Sequence, residues 1–262
     1  MNTLDIWTVI LCGGRGKRME ELTLKTPKPL LNVHGKPILW YIINILISKG
    51  LHRFIFPLGY KGKLIDEFIK SSYYNKGVEI ICVETGADTL IKERINKISN
   101  LLPEDSDFLL INSDTIFDFD IDEMYQMHIS NRSLLTLSTV EVISTWGLVV
   151  EKDGELDDFS REREAHYLSS EHDDSTKGYI YSGISFINKK ALKYLNDNDP
   201  RDFEENLYSR IIKMGKASHY KLDGLWYAID TQKDLEVLHI LTDERNDRAQ
   251  SVKKMKDELS NI

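Results

Sequence analysis

The chain has 262 residues, 41% of them hydrophobic, which suits one large α/β domain, or one with a small appended lobe. Acidic residues outnumber Lys and Arg by 42 to 34, and the net charge of −8 argues against general binding to nucleic acid. Two cysteines, Cys12 and Cys82, give no disulfide framework; both fall at the ends of expected buried strands, where a thiol acts as a small apolar group.

In chain order, Ile6 to Leu11 reads as a short buried strand, Ile38 to Ser48 as a helix, Arg53 to Leu58 as a strand and Gly62 to Ser71 as a helix. Strand Val78 to Val83, helix Thr89 to Leu101, strand Phe108 to Asn112 and helix Asp122 to Ile129 follow. This alternation predicts a parallel sheet covered on both faces, with ligands at the carboxyl ends of its strands. Beyond Leu134 the pattern changes: Leu134 to Val140, Gly147 to Val150 and Tyr179 to Ile187 read as strands, while Asp153 to Asp174 reads as polar and irregular. Helices are expected at Lys189 to Asn196 and Phe203 to Met214. The last segment, Thr231 to Ile262, reads as a charged helix with a solvated or packing role, a contact in a homo-oligomer being the alternative. No basic run precedes Ile6, and its apolar stretch is far too short for a signal peptide or membrane span, so a cytoplasmic protein is expected.

The first strand runs into Leu11-Cys12-Gly13-Gly14-Arg15-Gly16-Lys17-Arg18-Met19, with Lys28-Pro29 ten residues on. Glycines let the backbone approach a bound anion and aim N–H groups at phosphate oxygens, and the cations add attraction. A P-loop is excluded because Arg18 follows Gly16-Lys17 and no glycine stands five before Gly16. The dinucleotide fingerprint fails because Met19 occupies its third glycine position. The plainer alternative is a surface turn with solvated basic residues. Asp114 and Asp230 each follow an apolar run, and Asp118, Asp120 and Asp122 read as a solvated cluster at a helix start.

This loop, with Lys28-Pro29 and Gly35-Lys36-Pro37-Ile38-Leu39, resembles the sugar-1-phosphate nucleotidyltransferase family, which opens with G-G-x-G-x-R, then a lysine before proline or glutamine, then G-K-P before a helix. Gly59-Tyr60-Lys61-Gly62, Glu84-Thr85-Gly86, Asn112-Ser113-Asp114, Ser182-Gly183-Ile184 and Ala228-Ile229-Asp230-Thr231 extend the resemblance in the right order to about residue 240. It implies a Rossmann-like, mixed but mainly parallel α/β sheet with helices on both faces. A nucleotidyltransferase domain would span 1–240, with a small sugar-side extension at 141–185 and a helical tail at 241–262.

The activity implied is transfer of a nucleotidyl group from a nucleoside triphosphate to a phosphorylated small-molecule acceptor, for activated-sugar and surface-polysaccharide biosynthesis. Arg18 and Lys28 would act on the triphosphate and its transition state, and Asp114 and Asp230 would hold Mg2+. Leu11, Cys12, Gly13, Gly14, Arg15, Gly16, Glu84, Thr85, Gly86 and Ser113 would bind the nucleotide, Ser113 standing where glycine is usual. Arg161 and Arg163 replace the lysine of the family's E-K-P segment and, with Tyr181 and Gly183, would bind the acceptor. Gly35 to Trp40, Gly59 to Gly62, and Thr85-Gly86 with Lys92 and Arg94 look like glucose-1-phosphate cytidylyltransferases. Glu84-Thr85-Gly86 and Ser182-Gly183-Ile184 lean toward N-acetylmuramate-phosphate uridylyltransferases. A pyrimidine nucleotide is expected, CTP ahead of UTP. The alternative is a catalytically silent homologue that binds nucleotide and regulates a partner.

Overall fold

In the computed structural model, residues 5–74, 76–141, 148–152, 155–160, 179–196 and 198–241 are described. Strand β1 (Trp7–Leu11) leads through a 3₁₀ turn, Lys17–Met19, into the single-turn helix α1 (Glu20–Thr23). A second 3₁₀ turn, Lys28–Leu30, precedes the small hairpin β2 (Asn32–Val33) and β3 (Lys36–Pro37) and then α2 (Ile38–Ser48). Next come β4 (Arg53–Leu58), α3 (Gly62–Tyr73), β5 (Glu79–Glu84), α4 (Ile91–Ile98), β6 (Asp107–Asn112), β7 (Thr115–Phe119) and α5 (Ile121–Ser130). The second half supplies β8 (Leu135–Val140), β9 (Leu148–Lys152), β10 (Glu155–Ser160), β11 (Ile180–Asn188), α6 (Phe203–Lys213), β12 (Ala217–Lys221), β13 (Gly224–Ala228) and α7 (Gln232–Leu241).

Seven strands form one sheet in the order β12-β8-β11-β6-β1-β4-β5. Its pairs are parallel except where β11 runs antiparallel between β6 and β8. The fold is therefore the expected Rossmann-like, mainly parallel α/β sheet. Side chains alternate across it. Ile10, Phe54, Phe56, Leu109 and Ile111 meet the buried residues of α2, α3 and α5 on one face. Val9, Ile55, Phe108 and Leu110 meet Ile95 and Ile98 of α4 and Leu207 and Ile211 of α6 on the other. Each such side chain contributes roughly 1.5–3 kcal/mol on burial, so this period-2 pattern fixes the register of the sheet.

β1 has β4 on one side and β6 on the other, so the chain's order of strands reverses at β1. In open α/β sheets the crevice at such a reversal, beyond the carboxyl ends of the strands, receives the ligand.

Several sequence expectations need correction. Residues 155–160 form β10, antiparallel to β9, inside the segment read as irregular. Lys189–Tyr194 is a 3₁₀ helix, shorter than the expected helix to Asn196. Asp118 lies in β7 and pairs with Lys49 rather than standing solvated at a helix start, although Asp120 does cap α5 by accepting from the Glu123 N–H at 2.9 Å. Arg161, Arg163, most of the expected extension between 161 and 178, and the tail from 242 to 262 lie outside the described residues.

Candidate functional site

A cleft of about 580 Å³ opens at the carboxyl ends of β1, β5 and β6. One wall is the glycine loop after β1. Gly13 is packed against Arg94: a Cβ there would lie 2.2 Å from the guanidinium carbon, so a larger residue requires Arg94 to give up its place. The Gly13 carbonyl accepts from Arg94 at 3.0 Å and from the Tyr60 N–H at 3.2 Å. Farther along, Gly16 accepts from the Met19 N–H at 2.9 Å and from the Thr23 hydroxyl at 3.3 Å, which folds the loop back against α1.

Lys28 reaches the same cleft from its 3₁₀ turn. Prolines at 27 and 29 restrict the backbone on both sides, and the Leu31 N–H closes the turn onto the Lys28 carbonyl at 3.1 Å. The Lys28 ammonium donates to Asp114 Oδ2 at 2.7 Å and to Asp230 Oδ1 at 3.1 Å, and only 12% of its side chain is exposed. Arg18 pairs with the other oxygen of Asp230 at 3.0 Å.

The two carboxylates meet because of a ladder outside the main sheet. β7 and β13 pair antiparallel, with Thr115 opposite Ala228, and the Ile229 N–H donates to the Asp114 carbonyl at 2.9 Å. Asp234, in the first turn of α7, accepts from the Asp230 and Thr231 N–H groups at 3.0 and 2.7 Å and fixes the backbone beneath the second aspartate. Ser113 ties the first to the end of β1, donating to the Leu11 carbonyl at 2.6 Å.

Of the residues singled out from the sequence, Leu11, Gly13, Gly14, Arg15, Gly16, Arg18, Lys28, Ser113, Asp114 and Asp230 line the cleft. Cys12 is buried beside them, and burial pushes its thiol up to about 12, which fits an inert packing group. Glu84 and Thr85 do not line it. The Glu84 carboxylate accepts from the Gly86 N–H at 3.0 Å, while the Thr85 hydroxyl donates to the Leu58 carbonyl. Gly86 lies in the turn between them and α4, likewise outside the lining. Tyr181 turns its hydroxyl inward to Ser185 and Tyr208, both at 3.3 Å, and Gly183 sits at a bulge in β11 against the Asn112 side chain.

Two lining residues carry more than the sequence reading gave them. Asp88 holds Arg15 through two contacts, 2.7 and 2.9 Å, joining the tip of the glycine loop to the turn before α4. Arg94, read only as one of two basic helix residues, is buried and donates to the carbonyls of Gly13 and Leu58 and to the Thr85 hydroxyl, tying together the ends of β1, β4 and β5. Burial draws its pKa below the usual guanidinium range, and Glu84, Glu93 and Asp88 pull the other way. The available signal was its place in the stripe Ile91, Arg94, Ile95, Ile98, where a cation on an apolar face needs a reason.

Four cations (Arg15, Arg18, Lys28, Arg94) face three carboxylates (Asp88, Asp114, Asp230) in the cleft of an otherwise acidic protein. The two carboxylates that bracket the Lys28 ammonium are hard oxygen donors of the kind that would suit a small divalent ion. Fold and site together define an α/β protein with a charged cleft at the strand reversal, of a chemistry that suits anionic groups. Residues 7–244 match the family model described as nucleotidyl transferase, and the chain belongs to that family. It is 30% identical, over 87% of its length and 92% of the relative's, to a probable glucose-1-phosphate cytidylyltransferase of Bacillus subtilis. It is 25% identical to the glucose-1-phosphate cytidylyltransferase of Salmonella typhimurium, covering 86% of this chain and 91% of the relative. A crystal structure of a putative glucose-1-phosphate thymidylyltransferase from Bacillus anthracis shares the fold, with a TM-score of 0.66 at 17% identity, covering 94% of this chain and 99% of that one. Among the described residues no helix is long and apolar enough to cross a membrane.

Proposed function

We propose that the protein transfers a nucleotidyl group to a sugar-1-phosphate, that CTP is its preferred donor ahead of UTP, and that residues 1–240 form the catalytic domain. The observation that carries this reading is the convergence of Arg18 and Lys28 with Asp114 and Asp230 at 3.1 Å or less. The names of the two bacterial relatives support CTP.

The acceptor phosphate has a second pKa near 6, so at neutral pH it is already largely dianionic and needs no general base. One of its oxygens forms a bond to the α-phosphorus; the bond from that phosphorus to the bridging oxygen of the β-phosphate breaks, and pyrophosphate leaves with the electron pair. What the protein must supply is orientation and compensation of charge. Arg18 and Lys28 draw the triphosphate into line and neutralise charge as it builds on the leaving group. Backbone N–H groups of the glycine loop position the phosphates, and Arg94 holds that loop against β4 and β5. Asp114 and Asp230 would hold Mg2+, which when bound would offset the charge of the phosphates. Arg161 and Arg163 would grip the acceptor phosphate, a planar fork suiting that geometry. Alanine at either position is expected to raise the KM for the acceptor and leave that for CTP unchanged; equal shifts in both constants would remove these arginines from acceptor binding.

The discriminating experiment measures pyrophosphate release with CTP, UTP, dTTP, GTP and ATP, each against a set of sugar 1-phosphates beginning with glucose 1-phosphate, in Mg2+ and in EDTA. Release is expected to need both substrates and the divalent ion and to be fastest with CTP. Absence of turnover with every pair, alongside retained nucleotide binding, would leave the silent, regulatory reading in its place.

A further inference from the structure

The four charged side chains at the centre of the cleft form one linked set. The ammonium of Lys28 serves both Asp114 and Asp230, and Arg18 takes the remaining oxygen of Asp230. Two positive and two negative charges cancel, so a metal ion meets carboxylates already neutralised, and a triphosphate meets cations already paired. The backbones beneath them are held by the Ile229-to-Asp114 and Asp230-to-Asp234 hydrogen bonds and by the proline-flanked turn at Lys28. Exchange of partners is therefore a matter of side-chain movement only. Arg18 is largely exposed, so its pair is weak and readily released, whereas the Lys28 pair with Asp114 is two-thirds or more shielded on both sides.

We propose that Lys28 is the built-in counter-ion of the Asp114–Asp230 pair, so that divalent metal and triphosphate bind together and each binds weakly alone. This rests on the reading of those aspartates as the metal carboxylates. When metal and nucleotide arrive together, Lys28 gives up the two carboxylates and its ammonium passes to triphosphate oxygens. Each ligand then removes the partner that held back the other, which is positive coupling without any movement of the backbone. In the free protein the ammonium also prevents two carboxylates from repelling one another in a confined site.

The test is binding of Mn2+ to the nucleotide-free protein, followed by calorimetry or by the electron paramagnetic resonance of the free ion. Lys28→Met should bind Mn2+ more tightly than wild type by about tenfold, within the usual range of such coupling. Lys28→Gln should show the same ordering with a neutral polar head, which covers failure of the methionine variant to fold. After correction for Mn2+ held by the nucleotide in solution, a non-hydrolysable CTP analogue should raise Mn2+ affinity more in wild type than in Lys28→Met; an equal gain in both overturns the coupling. Unchanged or weaker Mn2+ binding in the lysine variants, while Asp114→Asn still weakens it, overturns the counter-ion role and leaves the metal site standing. Mn2+ binding that Asp114→Asn does not alter in either background removes the metal site itself and the proposal with it.

Discussion

A lysine between two prolines would ordinarily be a solvated side chain in a bend, yet Lys28 is nearly enclosed and bonded to two carboxylates. Its environment is set by residues at the ends of β6 and β13, remote from it along the chain. In the proposed reaction its charge matters most as the pyrophosphate departs. Lys28→Ala should therefore lower turnover by at least about tenfold, or about 1.4 kcal/mol of barrier, with a much smaller loss of folding stability. Steady-state pyrophosphate release together with thermal unfolding checks this; a rate close to wild type would take Lys28 out of the chemistry. The convergence of Arg18, Lys28, Asp114 and Asp230 was legible in the sequence because each follows a strand end or sits in a motif of fixed spacing. The directions of Glu84, Thr85 and Tyr181 were not. At a strand's end a side chain turns to whichever polar partner is nearest, and those partners (the Gly86 N–H, the Leu58 carbonyl, the Tyr208 hydroxyl) come from other elements or from the local turn.

At the scale of elements, the β7–β13 ladder is what carries one aspartate to the other. Gly224 opens β13 with φ +145°, and a Cβ there would lie 2.2 Å from the Asp118 carbonyl oxygen of β7. Gly224→Ala should therefore force the ladder apart, lowering the midpoint of thermal unfolding and turnover together. Loss of neither would mean that the ladder does not position the site. This pairing was missed because Asp118, Asp120 and Asp122 read as one acidic cluster, although Thr115 to Phe119 is rich in the β-branched and aromatic residues that favour strands. β12 was missed for another reason: as an edge strand with a single buried residue, Tyr220, it lacks the apolar signal of the central strands.

The opposite end of β6 carries a second polar group with no part in the cleft. Asp107 accepts from Asn188 at 2.7 Å, lies 3.2 Å from His128 Nε2 and meets the Tyr125 hydroxyl at 3.3 Å. Burial raises the Asp107 pKa, but the adjoining His128 imidazole and the hydrogen bond from Asn188 outweigh it and hold the carboxyl below its usual range. A carboxylate with a depressed folded pKa stabilises the protein above its unfolded pKa, near 3.9, and that contribution fades as pH falls through the folded value. Asp107→Asn should consequently cost more stability at pH 7 than near pH 3 in parallel denaturant titrations. An equal cost at both would show that its charge contributes nothing.

At the scale of the molecule, a chain with net charge −8 gathers four cations against three carboxylates at one cleft, a locally positive site in an acidic protein. That contrast selects a small polyanion over an extended nucleic acid, whose backbone would meet repulsion beyond the cleft. The overall sheet was legible because buried parallel strands and their helices carry strong, differing periods: the helix Ile38–Ser48 and the strand Arg53–Leu58 have the bounds read from sequence. The proposed reaction requires that the paired aspartates act in the transfer step. Single-turnover pyrophosphate release with saturating CTP, acceptor and Mg2+ should fall by at least about tenfold in both Asp114→Asn and Asp230→Asn, with unfolding midpoints near that of wild type. Rates close to wild type in both variants would contradict it.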